Sequence, residues 1–90
     1  MAKPRTEMSK TMTKYFDDLH LAEFGDDELE IEANPKEYVR LLKRALKWKS
    51  HDRLEWVCEY LGAEADERTE TLEGCKAIVK EDIEHVQRGL

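Results

Sequence analysis

Asn34–Gly62, NPKEYVRLLKRALKWKSHDRLEWVCEYLG, decides how this chain folds. Asn34 suits a helix cap, Pro35 fits the first helical position, and Glu37 stands where a capping box places its acid. The spacing predicts a helix from there to about Lys49, roughly 22 Å long at about 1.5 Å per residue. Tyr38, Val39, Leu41, Leu42, Ala45, Leu46 and Trp48 form a wide apolar stripe suited to a central element. Lys36, Arg40, Lys43, Arg44 and Lys47 recur at i, i+4, i+7, i+8 and i+11 and line the other face. Ser50-His51-Asp52 then interrupts the pattern, and either Ser50 or Asp52 caps a third helix whose stripe is Leu54, Val57, Cys58 and Leu61, with Gly62 as its stop.

Working outward, the first eight residues lack periodicity and read as a flexible arm, leaving residues 9–90 as a single helical domain. Met12, Tyr15, Phe16 and Leu19 put one stripe on a first helix, capped near Ser9 and stopped at Gly25. In GDDELEIEA, residues 25–33, apolar and acidic residues alternate. A lone strand has no partner here, so the segment reads as an extended acidic loop that tucks Leu29 and Ile31 under the helices, with a short helical turn as the alternative. After the polar link AEADERT, Thr69 or Thr71 caps a last helix carrying Leu72, Cys75, Val79, Ile83 and Val86, which ends at Gly89. The expected fold is all-α: a compact orthogonal bundle of about four helices, in which the first and last pack on the central pair.

Composition agrees with that class. Of 90 residues, 40% are hydrophobic and 40% charged, and there are only four Gly and two Pro, too few turn residues for a sandwich or barrel. No apolar run approaches the ~20 residues of a membrane span, and MAKPRTEMSK lacks a signal-peptide core, so a cytoplasmic setting is expected. Cys58 and Cys75 fall on apolar faces and read as small hydrophobes, with a disulfide across a helix pair as the lesser alternative. The net charge of −6 is distributed in blocks: residues 17–35 hold eight acids and no Lys or Arg, whereas residues 36–53 hold seven bases against Glu37 and Asp52.

Little here points to chemistry. His20, His51 and His85 are far apart, and His51 with Glu55 gives only an i, i+4 pair rather than a zinc pattern. The run Asp26-Asp27-Glu28-x-Glu30 lacks the Gly and the bidentate Glu that a calcium loop needs. Neither a phosphate loop nor a nucleophile elbow is present, so no enzyme, metal or cofactor is expected.

Residues 54–83, read as LEWVCEYLG, AEADERTET and LEGCKAIVKEDI, resemble the helix–extended loop–helix motif of SAP-like nucleic-acid-binding modules. The resemblance assigns Leu54, Val57, Leu61, Leu72, Ile78 and Val79 to a small core, and implies docking on DNA or RNA through the loop and the start of the second helix. The loop departs from that pattern: it carries Glu64, Asp66, Glu67 and Glu70 with only Arg68, where those modules tend to place Gly and Lys.

The expected function is a small acidic, non-enzymatic module that binds a macromolecular partner, a protein first of all, in a regulatory, accessory or inhibitor-like role. Its anchors are expected at Trp56 and Tyr60, beside the third helix's core stripe, and at Trp48. The alternative is a nucleic-acid binder using Arg40, Lys43, Arg44, Lys47 and Lys49, which the net charge disfavours. The acidic surface is open to two readings, imitation of nucleic acid or solubility alone. Monomer or weak homodimer is expected, the latter through the last helix.

Overall fold

The structure is a computed structural model that describes residues 10–63 and 66–90; the expected arm and the Ser9 cap lie outside them. The protein is all-α, with helices α1 (Lys10–Phe24), α2 (Pro35–Ala45), α3 (His51–Tyr60) and α4 (Leu72–Arg88), and a 3-10 turn, Glu67–Glu70, before α4. Contacts divide the chain after Asn34, where the sequence reading expects one domain over 9–90, and the two units are described in turn.

In the first unit, α1 buries Met12, Tyr15, Leu19 and Ala22. It stops at Gly25, whose φ of 71° lies in the left-handed region and whose N–H returns to the Leu21 carbonyl at 2.7 Å. The following segment is neither extended nor helical. Asp26 and Ile31 exchange two backbone hydrogen bonds, of 2.8 and 2.9 Å, closing a tight hairpin turn over residues 27–30. The Asp26 carboxylate accepts the Glu28 and Leu29 N–H groups at 2.9 and 3.2 Å, and Glu30 completes the turn at a φ of 55°. The hairpin then folds back on its own helix, because the Asn34 N–H donates to the Ala22 carbonyl at 2.8 Å. That bond takes the donor a capping box would give to Glu37, whose carboxylate instead binds Arg40.

In the second unit α4 is the hub, packing against α2, α3 and the 3-10 turn. Tyr38, Val39, Leu41, Leu42 and Ala45 of α2, Leu54, Val57 and Cys58 of α3, and Cys75, Ile78, Val79 and Ile83 of α4 are buried. Helix α2 ends at Ala45 rather than near Lys49. Its last turn tightens into i→i+3 bonds, Lys47 to Arg44 at 3.1 Å and Trp48 to Ala45 at 3.0 Å. The cause lies downstream: Ser50 must be extended (φ −88°, ψ 113°) for its hydroxyl to accept the Arg53 N–H, so the chain has to leave the helix first. Thr71 caps α4 in the same way, through the Gly74 N–H at 3.0 Å.

One polar contact ties α2 to α4. The Tyr38 hydroxyl, on a residue only 4% exposed, donates to the Asp82 carboxylate at 3.0 Å. A part-buried bond to a charged acceptor contributes about 1.5–3 kcal/mol. Tyr38→Phe, which keeps the ring, is therefore expected to lower unfolding free energy by about 2 kcal/mol in a urea titration.

Candidate functional site

The 3-10 turn is pinned from several sides. Its Thr69 carbonyl accepts from His51 Nε2 at 2.6 Å and from the Cys75 thiol at 3.4 Å. Arg68 grips Asp66 through Nε and Nη2 (Nη2 to Oδ2 2.8 Å), and reaches Glu81 on α4 through Nη1. These bonds hold the Asp66 carboxyl below the usual carboxylate range and push the guanidinium's pKa up. The only base between α3 and α4 is thus engaged by two carboxylates of its own chain. A helical turn stands where the SAP-like resemblance implies an extended loop, and residues 64–65 of that loop lie outside the described ones.

The cysteines are free and buried. The Cys58 thiol donates to the Cys75 carbonyl at 3.6 Å, so the two residues meet where α3 packs on α4. Burial, reinforced by the neighbouring Cys75, pushes the Cys58 thiol up to about 12, and burial raises Cys75 as well. Thiols held protonated are poor nucleophiles, and here they serve as small apolar side chains with a weak donor. His51 also lies 3.2 Å from Glu55, but no group of three His, Cys, Asp or Glu among the described residues is arranged to hold a metal.

Trp48, Trp56 and Tyr60, the expected anchors, are each half-buried, Trp48 in the turn after α2 and the other two on α3. The large apolar residues that stand in solvent are others: Phe24 and Leu29, both 65% exposed, Ile31 at 41%, and Leu90. This corrects the expectation that Leu29 and Ile31 tuck under the helices. Closing the turn at Asp26–Ile31 lifts Leu29 to its tip, and Phe24 and Ile31 line one shallow depression with Asp26, Asp27, Glu30 and Glu32. Phe24 also packs on the His20 ring, centroids 5.0 Å apart. The sequence held one signal for this patch, since Phe24 falls off the Met12–Leu19 stripe. Cys75, Val79 and Ile83 of the last helix's stripe are buried and Leu72 and Val86 half-buried.

The basic residues behave differently from the aromatic ones. Arg40, Lys43 and Arg44 of α2 and Lys47 in the turn after it line one concavity, and Lys49, two residues further on, does not line it. Arg40 is bound to Glu37, its Nε at 2.9 Å from Oε2. No protein-family model, curated protein or solved structure matches the chain.

Proposed function

We propose that the protein is a non-catalytic module that binds another protein, and that the acidic hairpin after α1 is its contact surface. The observation carrying this reading is the exposure of Leu29 and Ile31 on one short, hydrogen-bonded turn and of Phe24 at the end of α1 just before it. Scattered exposed apolar residues are ordinary, but an apolar centre with a charged rim has the anatomy of an interface. Asp26, Asp27, Glu28, Glu30 and Glu32 supply that rim, and they select a partner whose apolar groove is edged with Lys and Arg. The turn's internal bonds reduce the ordering cost of binding. Trp48, Trp56 and Tyr60 are secondary contacts in this reading, because half-burial withholds much of each ring from a partner.

The double variant Phe24→Ser, Leu29→Ser removes two apolar contacts without touching the buried face of α1. Capture of the partner from cells that make the protein, measured by affinity pull-down, is expected to fall by about 10- to 100-fold, the range for losing two anchors of ~1 kcal/mol or a little more each. The thermal midpoint is expected to stay within a degree or two of the unsubstituted protein. Undiminished capture would remove the hairpin from the interface.

A further inference from the structure

The second unit carries a separate feature that the hairpin reading does not use. Arg40, Lys43, Arg44 and Lys47 gather around one concavity. Arg40 is held by Glu37, but among the described residues no carboxylate lies within ion-pair distance of Lys43, Arg44 or Lys47. A solvated helix face usually answers its charges at i, i+3 or i+4, as Lys14 does with Asp18. Here those positions repeat the same sign: Lys43 with Lys47, and Arg40 with both Lys43 and Arg44. Such repetition costs helix stability. Each like-charged pair costs about 0.2–0.5 kcal/mol, and the favourable interaction of Lys43 and Arg44 with the C-terminal end of the helix dipole, at about 0.3–1 kcal/mol each, is of the same size.

We infer that this concavity on α2 binds the phosphodiester backbone of a nucleic acid, with Lys43, Arg44 and Lys47 as phosphate contacts. Residues 40–47 span about 10 Å along the end of α2 and the tightened turn that follows it. A duplex presents roughly three phosphates per strand over that length, matching the three cations that have no carboxylate partner. The net charge of −6 does not cancel this patch, since at physiological salt charges more than about 8 Å apart are largely screened in water. Recognition is of the backbone and not of sequence, for Lys43 and Lys47 are point-like cations, Arg40 is engaged by Glu37, and one remaining guanidinium on Arg44 makes no base-reading array. Arg40 has a positioning part: its guanidinium, fixed by Glu37, sets one edge of the concavity.

The test is fluorescence anisotropy with the whole protein and labelled oligonucleotides, single-stranded RNA in one arm and duplex DNA in the other, from 50 to 200 mM salt. Three neutralised phosphates give a fall in affinity of about 20-fold for the single strand and about 40-fold for the duplex over that range. Lys43→Ala, Arg44→Ala and Lys47→Ala should each remove about a third of the log–log slope, and the triple variant should abolish binding with its helical circular dichroism unchanged. The pair Lys36→Ala, Lys49→Ala, which removes two positive charges outside the concavity, should leave the slope nearly unchanged, where any two of the concavity residues should remove about two thirds of it. Three results would overturn the inference: no binding at 50 mM salt, equal loss in the Lys36/Lys49 variant, or tripolyphosphate or an oligoglutamate peptide competing as well as an unlabelled oligonucleotide. The last would assign the patch to a small anion or to an acidic protein segment.

Discussion

Replacing Gly74 with alanine is expected to destabilise the second unit by about 3 kcal/mol, although alanine is the better helix former by about 1 kcal/mol. Gly74 lies in the first turn of α4, where the 3-10 turn crosses closest. A Cβ built there would overlap the Arg68 carbonyl oxygen, and would lie 2.7 Å from that carbonyl carbon and 2.9 Å from the Arg68 Cα. These are backbone atoms and cannot rotate away. Relief requires the whole Glu67–Glu70 turn to move, which strains the His51 and Cys75 bonds to Thr69 and the Arg68 clamp on Asp66 and Glu81. Overpacking of this kind costs about 1–3 kcal/mol, and the broken bonds at the turn add to it. Gly89→Ala is the control: its nearest non-neighbouring atom would be 3.4 Å away, and its φ is not left-handed. Urea unfolding of the two variants checks the contrast, and equal midpoints would show that the 3-10 turn is not held where it stands.

Gly25→Ala should be about as damaging, by a different route. At a φ of 71° an alanine costs about 1–2 kcal/mol. Its Cβ would also overlap the Ile31 carbonyl oxygen and come within 2.8 Å of the Ala33 nitrogen, where the hairpin folds back over the end of α1. Together these amount to about 2–4 kcal/mol. The loss falls on the hairpin, so it should register first as faster amide exchange at Ile31 and Asn34, whose N–H groups donate to Asp26 and Ala22. It should also weaken the proposed partner contact, which depends on that turn. Unchanged protection at both amides would contradict the geometry of the turn.

The helices were readable in sequence because each carries a periodic apolar stripe, and at α3 and α4 the caps agree with it. Ser50 and Thr71 each have the side chain, the spacing and the following apolar stripe of a cap, and both act as one. Two things were not readable. The 26–31 turn puts Glu30 at a left-handed φ, a place where Gly or Asn gives the usual signal. With Glu there, the alternation of Leu29 and Ile31 with acids reads as an extended, half-buried loop. The end of α2 was hidden for another reason. Leu46 and Trp48 extend its apolar stripe, and only the demand of Ser50 for extended backbone ends the helix at Ala45. The basic face was plain in sequence, but not whether nearby acids neutralise it. That depends on side-chain distances, and Lys43, Arg44 and Lys47 have no carboxylate in range among the described residues.

The most direct test of the proposed function is site-specific photo-crosslinking in the cells that make the protein. One photoreactive residue replaces Leu29 at the hairpin tip, and another replaces Gln87 on the exposed face of α4. A crosslinked species of one defined mass, containing a basic protein, is expected from position 29, absent from position 87, and lost when Phe24→Ser is added. Equal crosslinking from both positions, or a species that survives Phe24→Ser, would contradict the hairpin as the docking surface.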